Sequence, residues 1–164
     1  VSGFLGQLPA LLGVVIGAAG SYVAVTAGER ARFRREQKVR WDERRITAYA
    51  DYARAVKSTT SLLWRAAAHH GADPHPHPLS PDEAEPALAA SFDRGDAAWE
   101  GVLLLGTADA VAAARRWSAA VREMHRLVRA GGRDPAAWSE AVAAARDARA
   151  AFYDAARADL GIPP

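Results

Sequence analysis

The sequence contains no cysteine. Disulfides and thiolate chemistry are therefore excluded, and cysteine pairing gives no hint of compartment. Lysine is almost missing as well: two lysines stand against nineteen arginines, so positive charge is carried almost wholly by guanidinium groups. Residues 1–28 carry no charged side chain, and proline is absent between Gln37 and Ala72. There is no stretch of alternating β-branched residues, and the apolar run Val102 to Leu105 is too short to outweigh its helical surroundings. The short catalytic signatures are missing too. There is no G-x-S-x-G, no P-loop, no G-x-G-x-x-G, no H-E-x-x-H and no repeated E-x-x-H. The expectation is an all-α protein that is not an enzyme.

From Phe4 to Ala27 the chain reads FLGQLPALLGVVIGAAGSYVAVTA. As a helix this segment is roughly 30–36 Å long, enough to cross a bilayer core. It is followed by ERARFRREQKVRWDERR, in which Arg30, Arg32, Arg34, Arg35, Lys38, Arg40, Arg44 and Arg45 outnumber Glu29, Glu36, Asp42 and Glu43. Positive charge after a span marks its cytoplasmic side. Val25 and Ala27 fit the −3 and −1 positions of a cleavage site, but no basic residue precedes the apolar run. The reading is thus an anchor over 1–28: a single-pass protein of the cell membrane, N-terminus outside and the remainder cytoplasmic. The basic cluster suits anionic lipid headgroups, each charge near the surface contributing about 1 kcal/mol. Nucleic-acid phosphate is the lesser alternative.

Within the span, Gly6, Ala10, Gly13, Gly17, Gly20 and Ala24 recur at alternating intervals of four and three. They share one helix face and include a G-x-x-x-G, the pattern that lets two helices approach closely in lipid. Small residues are also simply common in spans of alanine-rich chains. The face points to a homo-oligomer.

After the span the periodicity is helical. Val39, Ile46, Tyr49, Ala53, Val56 and Leu63 mark one face of a long helix, broadened by Trp41, Tyr52, Leu62 and Trp64. This helix and its basic opening occupy 29–68. A Pro/His-rich loop and a helix start occupy 69–86, where Gly71, Pro74, Pro76, Pro78, Pro81 and Pro86 rule out one continuous helix. Ser80, Pro81 and Glu83 there form a helix-start signature. The rest, 87–164, reads as bundle helices. Leu88, Phe92, Trp99 and Leu103 share a face of the next helix. Val111, Ala114, Trp117, Val121, Met124 and Val128 share a face of a third helix, from Ala108 to Ala130. Trp138, Val142, Ala145, Phe152 and Ala156 form the stripe of a fourth, interrupted by Arg149. Short connections predict antiparallel neighbours, so the expected architecture is a bundle of three to four helices with the tryptophans in its core.

His69, His70, His75 and His77, near Asp73 and Asp82, are the weak candidates for a metal site. Alternating His-Pro is stiff and splays its imidazoles, so no metal and no cofactor are expected, and a solvated loop is the preferred reading.

The runs W-x-E-R-R-x-x-x-Y (Trp41, Glu43, Arg44, Arg45, Tyr49), V-L-L-L-G-T-A-D-A-V-A-A-A-R (Val102 to Arg115) and A-R-A-D-L-G (Ala156 to Gly161) resemble those of small actinobacterial membrane-anchored helical proteins. Some of these are labelled after the KilB protein of Streptomyces plasmids, which is associated with plasmid transfer between mycelia. The resemblance implies a membrane component of conjugal transfer and supplies no catalytic residues. Three expectations result. The first is a non-enzymatic membrane protein whose bundle self-associates or recruits an unknown cytoplasmic protein partner. The second is a conjugal-transfer component. The third is a metal-responsive domain using the histidine loop.

Overall fold

The computed structural model describes residues 40–132 and 134–163. The chain divides into two units, Val1–Asp42 and Glu43–Pro164. The expected span, its face of Gly6, Ala10, Gly13, Gly17, Gly20 and Ala24, and the cations Arg30, Arg32, Arg34, Arg35 and Lys38 lie outside the described residues. Among the described residues no helix is long and apolar enough to cross a membrane.

Four helices make up the described residues: α1 over 40–69, α2 over Pro81–Leu105, α3 over Ala108–Arg129 and α4 over Pro135–Asp159. No strand occurs among them. Each of the three later helices begins on its own sequence signal. Pro81 opens α2 at a position that needs no N–H, while the Glu83 carboxylate accepts from the Ser80 N–H at 3.0 Å and from its hydroxyl at 2.7 Å. These bonds, the hydroxyl's first, hold the Glu83 carboxyl below its ordinary value. The Thr107 hydroxyl accepts from Ala110 N–H at the head of α3. Asp134 Oδ1 accepts from Ala136 and Ala137 N–H at 3.0 and 3.1 Å at the head of α4, with Pro135 behind it. Pro86, expected among the breakers, instead lies inside α2. It sits on the exposed face early in the helix, where the carbonyl it leaves without a partner, that of Asp82, meets water.

The helices run up and down. The start of α1 meets the ends of α2 and α4: Arg45 Nε donates to the Leu105 carbonyl at 2.9 Å, and the Tyr49 hydroxyl donates to Asp159 Oδ2. The end of α1 meets the opposite end, where Leu79 N–H donates to the Arg65 carbonyl at 2.9 Å and Trp138 Nε1 donates to Asp73 Oδ2 at 3.1 Å.

The core centres on Tyr52, whose ring meets Trp117 edge-on at 5.9 Å and Phe152 at 5.2 Å. Ala110, Ala113 and Ala114 of α3 are fully buried and let the backbones come close around these rings. The tryptophans do not all follow the expectation. Trp117 and Trp138 are buried and Trp99 is half-buried, whereas Trp41 and Trp64 are exposed. Ile46 and Leu103, also placed inward by periodicity, are exposed too. Leu103 points outward because the line that α2 buries runs through Ala84, Leu88, Ser91 and Val102, with Leu105 half-buried beyond it, and Ile46 lies in the opening turns of α1.

Candidate functional site

α3 and α4 pack closely, whereas α2 meets α3 sparsely. Against α1 it is held near, because a Cβ on Gly101 would stand only 3.2 Å from the Ala48 Cβ. The result is a gap along the α2–α3 side, opening as two clefts of about 420 Å³ each.

The first cleft is lined about evenly by polar and apolar groups. Its floor is Tyr52, Val56 and Thr59 of α1; Asp96 and Trp99 of α2 form one wall, and Arg115, Ser118 and Arg122 of α3 the other. The Tyr52 hydroxyl donates to the Ala114 carbonyl at 2.6 Å and lies 2.7 Å from Ser118 Oγ. With the phenol's one proton spent on the carbonyl, Ser118 is the donor in that pair. The same logic holds below it. The Thr59 hydroxyl donates to the Ala55 carbonyl at 3.2 Å, so the Ser91 hydroxyl, 2.8 Å away and buried, donates to Thr59. Burial pushes the Tyr52 phenol up, opposed by the Ser118 hydrogen bond and by the charge of Arg122. The guanidinium carbon of Arg115 sits 5.7 Å from the Trp99 ring centroid, a cation–π distance.

The second cleft is more apolar. Leu79, Ala84, Leu88 and Ala89 line it from the α2 side, Ala66 and His70 from the α1 side, and Val128 and Arg129 from α3. Phe92 lines both clefts and packs on His125, ring centroids 4.9 Å apart. Burial lowers the His125 pKa below its ordinary value, with a smaller push from Arg129.

Arg115, Arg122 and Arg129 therefore recur every seven residues along the α3 edge of the gap. None of them is ion-paired among the described residues. Compared with protein-family models, curated proteins and solved structures, the chain matches none.

The residues singled out from sequence fall elsewhere. Arg40 and Arg44 are exposed. Arg45 is turned into the bundle: besides its bond to Leu105, its Nη1 stands 3.6 Å from Asp159 Oδ1, a carboxylate only 3% exposed. Burial, then the bond to Asp159, pushes the neighbouring Tyr49 phenol well up. The histidines remain two separate pairs, His69–His70 with ring centroids 5.3 Å apart and His75–His77 at 6.4 Å. His75 Nδ1 accepts from the His77 N–H at 3.1 Å, and Asp73 is engaged by Trp138. Asp82 lies exposed in the first turn of α2. Among the described residues no three histidine or acidic side chains gather to hold a metal.

The spacing of charges in the sequence did not single out Asp96, Ser118 and Arg122 as lining a cleft. The usable signal was the three-four spacing of Arg115, Ser118 and Arg122 flanking the apolar stripe of α3. A polar flank at helical spacing beside a stripe of core residues is the edge of a gap.

Proposed function

We propose that this chain is a non-enzymatic recruitment module: a four-helix bundle, tethered to the membrane by its apolar N-terminal segment, that receives a helix of a partner protein between α2 and α3. The observation that carries this reading is the gap itself, apolar at one end and edged by Arg115, Arg122 and Arg129 at heptad spacing. An amphipathic helix laid in a groove inserts apolar residues at i, i+3, i+4 and i+7 and sets its flanking residues against the groove edges. A seven-residue repeat of cations matches a helix whose α3-facing flank carries acidic residues at the same repeat. Pairing of two copies through the glycine face of the N-terminal segment, and the lipid-facing arginine cluster before the bundle, complete the reading.

The test is a photo-crosslinking residue at Ala89, exposed on the groove wall, in the full chain in its native membranes. A second crosslinker at Glu140, on the exposed face of α4, is the control. The expected result is one defined partner captured at position 89 and absent at 140, lost when Arg122→Glu and Arg129→Glu are combined. Capture of the same proteins at both positions, or indifference to charge reversal, would overturn it. Recovery of plasmid-transfer proteins would name the pathway implied by the resemblance.

A further inference from the structure

Where arginines of the bundle are ion-paired, the partner is a nearby carboxylate: Arg45 faces Asp159, Arg54 meets Asp51 at 2.8 Å and Arg126 meets Glu123 at 2.5 Å. Besides the arginines along α3, a further group of cations, gathered beside a cavity, has no such partner among the described residues. On the far side from the α2–α3 gap, a cavity of about 260 Å³ between α1 and α4 is edged by Lys57, Arg146 and Arg149, and no carboxylate lines it. None of these cations is ion-paired among the described residues.

The interior of that cavity is the opposite of its rim. Trp117 and Met124 of α3, 1% and 0% exposed, form the floor. Trp64 stands at the wall with its ring 36% exposed. Arg149 is exposed and lies at the edge of the stripe that α4 buries through Ala145 and Phe152, next to the half-buried Ala148. Lys57, Arg146 and Arg149 are all exposed, and their like charges set a positive potential at the edge of the apolar floor that an anion would neutralise. An exposed indole beside a buried thioether offers a planar ring two apolar faces. At the rim, the Thr60 hydroxyl spends its proton on the Val56 carbonyl at 2.8 Å, while the Ser61 hydroxyl has no partner among the described residues and is free to donate.

We propose that this cavity binds a small aromatic acid, its ring between Trp64 and the Met124–Trp117 floor and its carboxylate or phosphate held by Lys57, Arg146 and Arg149. The volume sets the size: it lies below the roughly 300–1,000 Å³ of drug-sized pockets, which suits one ring or a fused pair. The site is separate from the groove proposed for a partner helix, so either can fail without the other.

The experiment is calorimetric titration of the full chain, held in nanodiscs of zwitterionic phosphatidylcholine so that no lipid of net negative charge competes. Indole-3-acetate and phenyl phosphate are the probes; indole-3-acetamide and inorganic phosphate are their matched controls. Saturable binding of both acids is expected, with the amide and inorganic phosphate each about tenfold weaker or worse, as loss of a charge-assisted bond or of the stacked ring requires. Arg149→Gln and Trp64→Ala, both at exposed side chains, should each weaken the acids by about tenfold while thermal unfolding confirms the bundle is intact. Equal binding of acid and amide would overturn the proposal. So would equal binding of phenyl phosphate and inorganic phosphate, insensitivity to both substitutions, or no saturable binding at all.

Discussion

The Phe92 ring lies 4.9 Å from the His125 ring, centroid to centroid, and this contact joins α2 to α3 where the two clefts meet. Because the imidazole is packed there against an apolar ring, with Arg129 nearby, its pKa lies below the ordinary 6.5. The folded state therefore binds a proton less readily than the unfolded chain. The His125 contribution to stability is constant above about pH 6.5 and falls as the pH drops below it, until the folded pKa is reached. Melting temperatures at pH 7.5 and 5.5 should diverge more in the native chain than in His125→Gln. Parallel losses in the two proteins would remove the contact as the cause.

A second relationship holds the other end of the bundle. The Asp159 carboxylate is 3% exposed and receives the Tyr49 hydroxyl and, at 3.6 Å, the Arg45 guanidinium. Tyr49→Phe withdraws a donor from a buried anion and should cost about 1–3 kcal/mol in denaturant unfolding. Combined with Asp159→Asn, the losses should fall short of additive, since both remove one interaction. The pH dependence has the reverse sense to that of His125. The Tyr49 pKa is raised above 10.0, so its contribution is whole below pH 10 and is lost as the pH climbs toward the folded value. The phenylalanine variant should lose less stability than the native chain between pH 9 and 11. Strict additivity in the cycle would sink the account.

Much of this architecture is legible in the sequence, and the exceptions have physical causes. The stripes of α3 and α4 are readable because each of those helices is covered along its length: Trp117, Val121, Met124, Trp138, Ala145 and Phe152 are all buried. Caps at Ser80, Thr107 and Asp134 mark helix starts because the chemistry is local. Leu103 misleads because the line that α2 buries passes through Val102 instead, Ile46 because it stands near the start of α1, and Trp64 because it stands beside a cavity. Helical spacing assigns a residue to a face, but it does not say where along that face the neighbouring helix ends or leaves a cavity. The clefts depend on α2 standing off α3, a relation between residues far apart in sequence, so only the polar flank of α3 hints at them. Arg149 is the instructive case. It reads as a blemish in an apolar stripe and becomes part of a basic rim once Lys57 of α1 is set opposite.

Two glycines separate backbone necessity from simple absence of a side chain. A Cβ on Gly106 would stand 2.7 Å from the Val102 carbonyl oxygen and 3.0 Å from the Tyr49 hydroxyl. Gly106→Ala must therefore shift the turn that joins α2 to α3, and should destabilise by about 1–3 kcal/mol. Gly95 lies inside α2 with nothing within 4 Å of the added methyl, so Gly95→Ala should stabilise by about 0.5–1 kcal/mol. Urea unfolding of the two single variants checks both signs; a loss in Gly95→Ala would mean that α2 sits closer to α3 than described.

Charge reversal along α3 separates recognition from folding. Arg115, Arg122 and Arg129 are exposed and take part in no ion pair among the described residues. Changing Arg122 to glutamate should move stability by no more than about 0.5 kcal/mol, and changing Arg115, which gives up its contact with the Trp99 ring, should cost about 0.5–1 kcal/mol. Arg129 differs, because it lies in the last turn of α3, where a cation favours the helix dipole. Its reversal should cost about 0.3–1 kcal/mol. Even the triple variant should keep its helical circular dichroism and most of its cooperative unfolding. Capture of a partner from a crosslinker at Ala89 should nevertheless disappear, since the acidic flank of the incoming helix would now meet like charge. A triple variant that unfolds leaves the single Arg122→Glu to decide, by the same capture. Undiminished capture in a folded variant would mean that the arginine row is only a solvated face and that the groove, if occupied, is read by its apolar half alone.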